Sequence, residues 1–265
     1  MPKPSDIHIK NCELYFLPVE LRVPLKFGDQ VLDSVTCARV RVEVESADGS
    51  RADGWGETPL SAAWVWPSEI PYVTRERRLM EFCRQLAREV PQCALQGHPI
   101  EIGTEFTSGR LSELHANFDE ADIDGITMPH LAALLAFSAF DIATYDAYGK
   151  MLGKQVFDLL WKENLNRGLD EFMQPAEQFQ GLFPADFLAG PIRILPVWHL
   201  VGWLDHTDAS ELGGGEPDDG YPVMLRDWIR RYGLNCLKII FRGTDPEWDY
   251  ARLAKIGEIA AEEGV

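Results

Sequence analysis

The stretch TMPHLAALLAFSAFDIATYDAYGKMLG (127–153) is the strongest helix signal in the chain, and it is apolar on nearly every side. A helix of that kind must be covered by other elements, because a surface helix keeps one polar face. Thr127 is placed to cap it, Pro129 lies in its first turn, and Gly149 and Gly153 lie where it should end. We therefore expect a central buried helix over 127–149.

Strands precede this helix. Val40, Val42 and Val44 alternate with charged residues, which predicts a half-buried antiparallel strand. The turn ADGS then leads into a returning strand, RADGWGE, and the earlier segment IHIKNCELYFLPVEL supplies a third. Strands first and helices afterwards indicate an α+β domain.

A different order of elements begins near residue 192. The strand RILPVWHLVGW, the helix YPVMLRDWIRRYG, the strand LKIIFRG and a last helix follow one another. This β-α-β-α order is typical of a parallel sheet or barrel. The polar, Gly- and Pro-containing segment 164–191 is interpreted as a linker or insertion. We thus divide the chain into 1–163, 164–191 and 192–265.

The net charge of the 265-residue chain is −17, and no Lys- or Arg-rich block stands out. A negative surface repels nucleic acid and anionic membranes, so neither is expected as a partner. No apolar run reaches transmembrane length. The five cysteines are scattered and form no C-x-x-C pair, which favours reduced thiols in a cytoplasmic protein.

Three residues are candidates for chemistry or structure before any family is considered. Lys238 lies in an apolar strand, where it must either reach water at the strand's end or be desolvated in a site. Trp64 is expected on a loop after a strand, and it is explained equally well by a ligand pocket and by plain packing. Asp141 lies in the buried helix, and we interpret it as a packing residue whose replacement costs stability.

Four stretches in order resemble the enolase superfamily, in its mandelate racemase and muconate lactonizing enzyme branch. They are GWGET, AFSAFDIATYDAYGKMLGKQVFDLL, LPVWHLVG and LNCLKIIFRGTDPEWDYARL. The resemblance covers nearly the full chain except 164–191 and the loop GGGEPDDG. It implies an α+β capping domain over 1–163, followed over 192–265 by the start of a modified (β/α) TIM-type barrel.

The resemblance also implies a chemistry. Such proteins hold one Mg²⁺ on three carboxylates of the third, fourth and fifth barrel strands, and a base removes the proton next to a substrate carboxylate. The expected function is therefore Mg²⁺-dependent racemisation or dehydration of an acid-sugar-type substrate. The expected partner is a small-molecule carboxylate, and a homo-oligomer is compatible with the sequence.

Lys238 matches the first lysine of the family's Lys-x-Lys pair, and Ile240 stands where the second would be. Lys238, our candidate catalytic residue, is thus an unpaired base, an electrostatic aid to a bound carboxylate, or a remnant. The alternative is a catalytically silent binding or structural family member. Because the metal carboxylates belong to later strands, we expect neither metal nor activity from residues 1–265 alone.

The segment RVPLKFGDQ (22–30) is predicted to be a loop between the first two strands, and it resembles the family's mobile substrate-covering loop. Lys26 and Phe27 in this segment are candidate substrate-binding residues, together with Trp64. An ordinary solvated lysine remains the alternative for Lys26.

Overall fold

A computed structural model of the protein describes residues 2–27, 30–120 and 126–265. Of Phe27 and Glu120 it describes the backbone only. Within these ranges no helix combines the length and the apolar character needed to cross a membrane.

The chain forms two compact units, which are described separately. The first contains residues up to 19 and 35–189, and the second contains 20–34 and 190–265. Residues 164–189 therefore belong to the first unit, where Asn166 donates a hydrogen bond to the Asp6 carboxylate at 2.9 Å. The division at 163 and 191 that the sequence suggests stays a prediction.

The first two strands pass through both units, and the remaining elements up to residue 152 lie in the first unit. The elements are β1 (Ile7–Phe27), β2 (Gln30–Ser46), β3 (Arg51–Pro59), α1 (Ala62–Val65), α2 (Tyr72–Glu89), α3 (Pro99–Ser108), α4 (Arg110–Glu120) and α5 (His130–Leu152). The strand order is β1-β2-β3, and β2 pairs with β3 antiparallel, with Val42 opposite Gly54. Val40, Val42 and Val44 are fully buried, so the alternation predicted for this strand is confirmed.

Helix α5 is the centre of the first unit, as predicted. It packs on β3, and its buried residues include Phe137, Phe140 and Tyr148. It begins at His130 and ends at Leu152, so the predicted range is about three residues too early. The N-cap is Pro129, and the predicted cap at Thr127 is wrong.

The prediction of a loop over 22–30 is wrong, because β1 continues to Phe27 and β2 begins at Gln30. Pro24 made the segment look irregular. However, β1 is an edge strand, and a proline is tolerated there because its missing N–H need not serve a neighbouring strand. Gly28 in the predicted loop lies outside the described residues.

The second unit contains β4 (His199–Val201), α6 (Leu225–Tyr232), β5 (Leu237–Ile239) and α7 (Pro246–Glu263). The two strands pair parallel, with Leu200 opposite Lys238. Their core comprises Val201, Leu225, Ile229, Ile256 and Ile259. An α+β unit followed by a parallel β-α-β-α unit is the predicted fold class, and it is confirmed. Each strand of the second unit is three residues long, shorter than the sequence suggests.

Candidate functional site

Lys238 projects from the sheet face that the helices leave open. Its neighbours in the strand, Leu237 and Ile239, pack against the apolar core that α6 and α7 form. Successive side chains of a strand point to opposite faces, and the Lys238 side chain is accordingly exposed. Leu200, across from it on β4, is exposed as well.

Ile240 continues β5 toward the carboxyl end of the sheet. Its backbone N–H donates to the carbonyl oxygen of Val201 at 3.0 Å, which extends the pairing by one bond. Its side chain is half-buried and apolar. The side chain two residues along the strand from Lys238 is therefore apolar and is not a second lysine.

The second unit contains a cavity of about 400 Å³ beside β4. Residues Arg22 to Leu25 of β1 line one side, and His199 and Leu200 line another. Trp228 of α6 lies against His199, with ring centres 5.3 Å apart. Burial lowers the pKa of His199 from its ordinary value. The imidazole is therefore held in its neutral form, in which one ring nitrogen accepts a hydrogen bond.

Arg22 joins this part of β1 to the loop before α6. Its Nε lies 2.6 Å from Oδ2 of Asp219, and its Nη2 lies 2.8 Å from Oδ1. The guanidinium also donates to the carbonyl oxygens of Tyr221 and Pro222, each at 3.1 Å. The hydrogen bond from Arg22 holds the pKa of the Asp219 carboxyl well below its usual range.

Lys26 lies on β1 beyond Arg22, with its Nζ 5.1 Å from the ring centre of Trp203. Arg242, just after β5, lies 4.5 Å from the same ring centre. Two cations therefore contact one indole at the carboxyl ends of β4 and β5. The side chain of Phe27, the other candidate on β1, lies outside the described residues.

Trp64 belongs to the first unit and lies on the short helix α1, not on a loop as predicted. It is 55% exposed, so it is not part of the apolar core. The fully buried Arg75 of α2 donates to the carbonyl oxygens of Ala62 and Trp66 at the two ends of α1. These bonds hold the backbone that carries Trp64.

Of the four candidates, Lys26 and Lys238 share a compact unit, whereas Trp64 lies in the other. Several carboxylates of the second unit accept hydrogen bonds from backbone amides and basic side chains. The Glu211 carboxylate accepts from Arg252 and Lys255, for example, and Asp205 accepts from the Gly202 N–H. Among the described residues no group of three or more His, Cys, Asp or Glu could hold a metal ion. The donors in the described ranges therefore do not fit Mg²⁺, which needs several oxygen ligands at one point.

The sequence did not indicate Arg22, Asp219, Trp203, Arg242 or Trp248 as site residues. A weak signal existed in FRGTDPEW (241–248), where a cation and an indole flank a turn at the end of a strand. The Arg22–Asp219 pair carries no local signal, because 197 positions separate the two residues.

No protein-family profile and no curated protein matches the chain. Solved structures do match it. An enolase from Pseudomonas fluorescens with bound magnesium, potassium and tartrate aligns with a TM-score of 0.53 at 14% identity, over 96% of this chain and 50% of that one. An enolase from Streptomyces coelicolor with no magnesium and an ordered loop aligns with a TM-score of 0.51 at 17% identity, over 96% and 50%.

This chain has the fold of the aligned half of those enolases. It spans about half the length of the solved structures it matches. A mandelate racemase/muconate lactonizing enzyme-like protein from Rubrobacter xylanophilus also aligns, at 17% identity over 95% of this chain and 50% of that one. Its TM-score of 0.44 is too low to carry an argument. The resemblance to the enolase superfamily is confirmed at the level of the fold.

Proposed function

We propose that this chain takes part in an enolase-type reaction, in which Lys238 removes the proton next to the carboxylate of an acid-sugar-type substrate. The observation that carries the proposal is the direction of Lys238. Its side chain lies on the open sheet face, whereas the neighbouring Leu237 and Ile239 pack against the core formed with α6 and α7. The bound tartrate of the Pseudomonas enolase, a small hydroxy acid, supports this class of substrate.

Lys238 acts in its neutral form, because only an amine with a free lone pair accepts a proton. The apolar Ile240 beside it adds no positive charge, so the arrangement differs from a Lys-x-Lys pair. After transfer the ammonium remains next to the substrate carboxylate, where opposite charges attract. Racemisation and dehydration share this first step, and both remain within the proposal.

Magnesium, when bound in such proteins, stabilises the negative charge that builds up on the substrate carboxylate. The described residues of this chain do not fit that ion. By the resemblance its ligands belong to later barrel strands. What this chain contributes is the amine of Lys238 and the surfaces around β4 and β5.

Substrate contacts are proposed for Lys26, Phe27 and Trp64. Lys26 presents an ammonium group beside Trp203, and an ammonium attracts carboxylates. Trp64 presents an exposed indole on a short helix whose backbone is bonded to Arg75 at both ends. We further propose a cytoplasmic location, because the five cysteines are all unpaired.

A catalytically silent binding protein is the second candidate, and Ile240 is the observation that favours it. An isoleucine transfers no proton, and Lys238 alone then serves only to attract a carboxylate. This candidate predicts binding of acid sugars without turnover.

The test is exchange of the α-hydrogen of tartrate and other acid sugars for deuterium, followed by proton NMR in D₂O with Mg²⁺. The protein should carry residues 1–265 with whatever sequence its gene encodes after Val265. We expect Lys238→Ala to slow exchange about 10²- to 10⁴-fold, the usual contribution of a general base. The control is Lys154→Ala, an exposed lysine of the first unit, which should exchange at the wild-type rate. Exchange that is unchanged in Lys238→Ala would overturn the assignment, and binding without exchange would favour the silent alternative.

A further inference from the structure

We propose that Lys26 and Arg242, which both contact the ring of Trp203, form an anion site that binds a carboxylate group of the ligand. It is called the indole site below and comprises Lys26, Trp203, Arg242 and Trp248. The inference rests on the proposed function for the class of ligand, a small hydroxy dicarboxylate. Its geometry is independent of Lys238 and of any metal.

The indole site is built from two aromatic rings and two cations. The Arg242 guanidinium carbon lies 3.9 Å from the ring centre of Trp248 and 4.5 Å from that of Trp203. The two indoles are nearly perpendicular, at 80°, with ring centres 6.1 Å apart. Lys26 Nζ completes the group at 5.1 Å from the Trp203 ring. Ring faces attract cations, so the site fixes the positions of both charges.

Carboxylates of the second unit hold the backbone of this site instead of neutralising it. Asp249 accepts hydrogen bonds from the backbone N–H groups of Arg242 and Gly243, both at 2.9 Å. Asp245 accepts from the backbone N–H of Trp248 at 3.1 Å. The loop after β5 is therefore fixed by main-chain contacts, and the Arg242 guanidinium stays available to a ligand.

Neither cation of the indole site belongs to an ion pair within the described part of the chain. Five of the other eight Lys and Arg side chains of the second unit do, and those pairs are Arg22–Asp219, Arg226–Glu262, Arg226–Glu263, Arg230–Glu263, Arg252–Glu211, Lys255–Asp208 and Lys255–Glu211. The net charge of the whole chain is −17, so acidic partners are abundant. Two positive charges near one ring repel each other, and a bound anion reduces that repulsion.

The location and the charge of the indole site favour a ligand with two negative charges. Trp203 follows β4 and Arg242 follows β5, so the site lies beyond the carboxyl ends of parallel strands, where α/β sheets bind ligands. The two cations of the site attract a hydroxy dicarboxylate more strongly than a monocarboxylate, because the Coulomb energy grows with the charge of the ligand.

The experiment measures tartrate binding to the 265-residue chain by calorimetry, in low salt and without metal. We expect Arg242→Gln and Lys26→Gln each to weaken binding about tenfold, the loss expected for a charge-assisted contact. Arg193→Gln is the matched control, because Arg193 is exposed in the same unit and contacts no indole in the described structure. It should stay within about twofold of wild type, since distant exposed charges are screened.

Two further variants separate the stacked geometry from charge alone. Arg242→Lys keeps the charge and loses the planar stack, so we expect an intermediate loss. Trp203→Phe keeps a ring with a weaker attraction for cations and should also weaken binding. Equal affinity of wild type, Arg242→Gln and Lys26→Gln for tartrate would overturn the proposal.

The ligand class is tested with lactate and inorganic phosphate as the other probes. Tartrate should bind more tightly than either; phosphate binding at least as tightly as tartrate would overturn the dicarboxylate assignment. If the protein used for the hydrogen-exchange experiment showed no exchange while tartrate still bound, the proposed function would be contradicted and the indole site would not. If tartrate did not bind while Lys238-dependent exchange was observed, only the indole site would be contradicted.

Discussion

Arg22 of β1 and Asp219 of the loop before α6 form a two-pronged ion pair, with nitrogen–oxygen distances of 2.6 and 2.8 Å. Residues 20–34, the arm formed by the end of β1 and the start of β2, belong to the second unit. The pair ties this arm to the loop that lines the cavity beside β4. Planar guanidinium–carboxylate pairs of this geometry fix orientation as well as distance.

The first prediction is that Asp219→Asn loosens the arm. The amide keeps the shape of the carboxylate and loses its charge, so Arg22 retains only its bonds to the carbonyl oxygens of Tyr221 and Pro222. Amide hydrogen exchange over 20–27 and 30–34 should become a few-fold faster, because local opening sets its rate. Asp218→Asn makes the same change in charge at an exposed neighbour and should leave the exchange unchanged. Faster exchange in both variants would point to net charge, not to the pair.

The same pair predicts a pH dependence. The pKa of Asp219 is depressed in the folded protein, chiefly by the hydrogen bond from Arg22. A carboxyl whose pKa is depressed in the folded state stabilises the fold at pH values above its ordinary, unfolded-state pKa. This stabilisation is lost as the pH falls through the pKa of the folded state. The protection of the arm in wild type should therefore hold at neutral pH and fall in acid. Asp219→Asn should lack the acid step.

The second prediction concerns the contact between β3 and α5. A Cβ added at Gly54 would lie 2.1 Å from the carbonyl oxygen of Ala143 and 2.2 Å from the backbone nitrogen of Ala147. Backbone atoms of a packed helix do not move aside cheaply, so Gly54→Ala should lower the free energy of unfolding by about 3 kcal/mol or more.

Gly257→Ala is the control for Gly54→Ala, and we expect it to raise the free energy of unfolding instead of lowering it. Gly257 lies in α7 with open space around its Cα, and alanine favours a helix by about 1 kcal/mol over glycine. Thermal unfolding by circular dichroism checks both variants. A neutral Gly54→Ala would mean that α5 does not approach β3 as closely as described.

The elements with a strong local pattern were predictable from the sequence. Helix α5 and the alternation Val40, Val42 and Val44 follow from local patterns that burial enforces. The extent of β1 was not predictable, because Pro24 is a breaker in a central strand and harmless in an edge strand. Only the strand order shows which of the two applies.

The candidate site was predictable only where a residue lies within a recognisable segment. Lys238 stands in an apolar strand and was visible as an anomaly. Trp203 and Arg242 were not, because their contact depends on the parallel pairing of β4 and β5. Arg22 and Asp219 meet across 197 positions through the path of the whole chain, which no local pattern encodes.

The third prediction concerns Asp141 in α5. Burial raises the pKa of its carboxyl to about 6, so the folded protein keeps this proton at pH values where the unfolded chain has lost it. Stability should fall as the pH rises from about 4 to 6, by up to about 3 kcal/mol, and then stay level. Asp141→Asn cannot ionise. It should be slightly less stable than wild type at pH 4 and more stable above pH 6, whereas the sequence suggested a loss throughout.

Urea unfolding at pH 4 and pH 7.5 measures this crossover for Asp141→Asn. Asp158→Asn is the control, because Asp158 is an exposed aspartate of the same unit, and surface substitutions change stability by less than about 0.5 kcal/mol. A difference between Asp141→Asn and wild type that is the same at both pH values would contradict the buried, protonated carboxyl.

The last prediction separates the two faces of β5. Lys238→Ala should leave the free energy of unfolding within about 0.5 kcal/mol of wild type, because the side chain is exposed on the open face. Ile239→Ala should lower it by about 2 kcal/mol or more, since Ile239 packs against the core between β4, α6 and α7. Equilibrium urea unfolding of the 265-residue chain measures both. If Lys238→Ala proved as destabilising as Ile239→Ala, Lys238 would face the helices and could not act as a base on the open face. A neutral Lys238→Ala leaves that face free for chemistry, because no part of the fold then depends on the lysine.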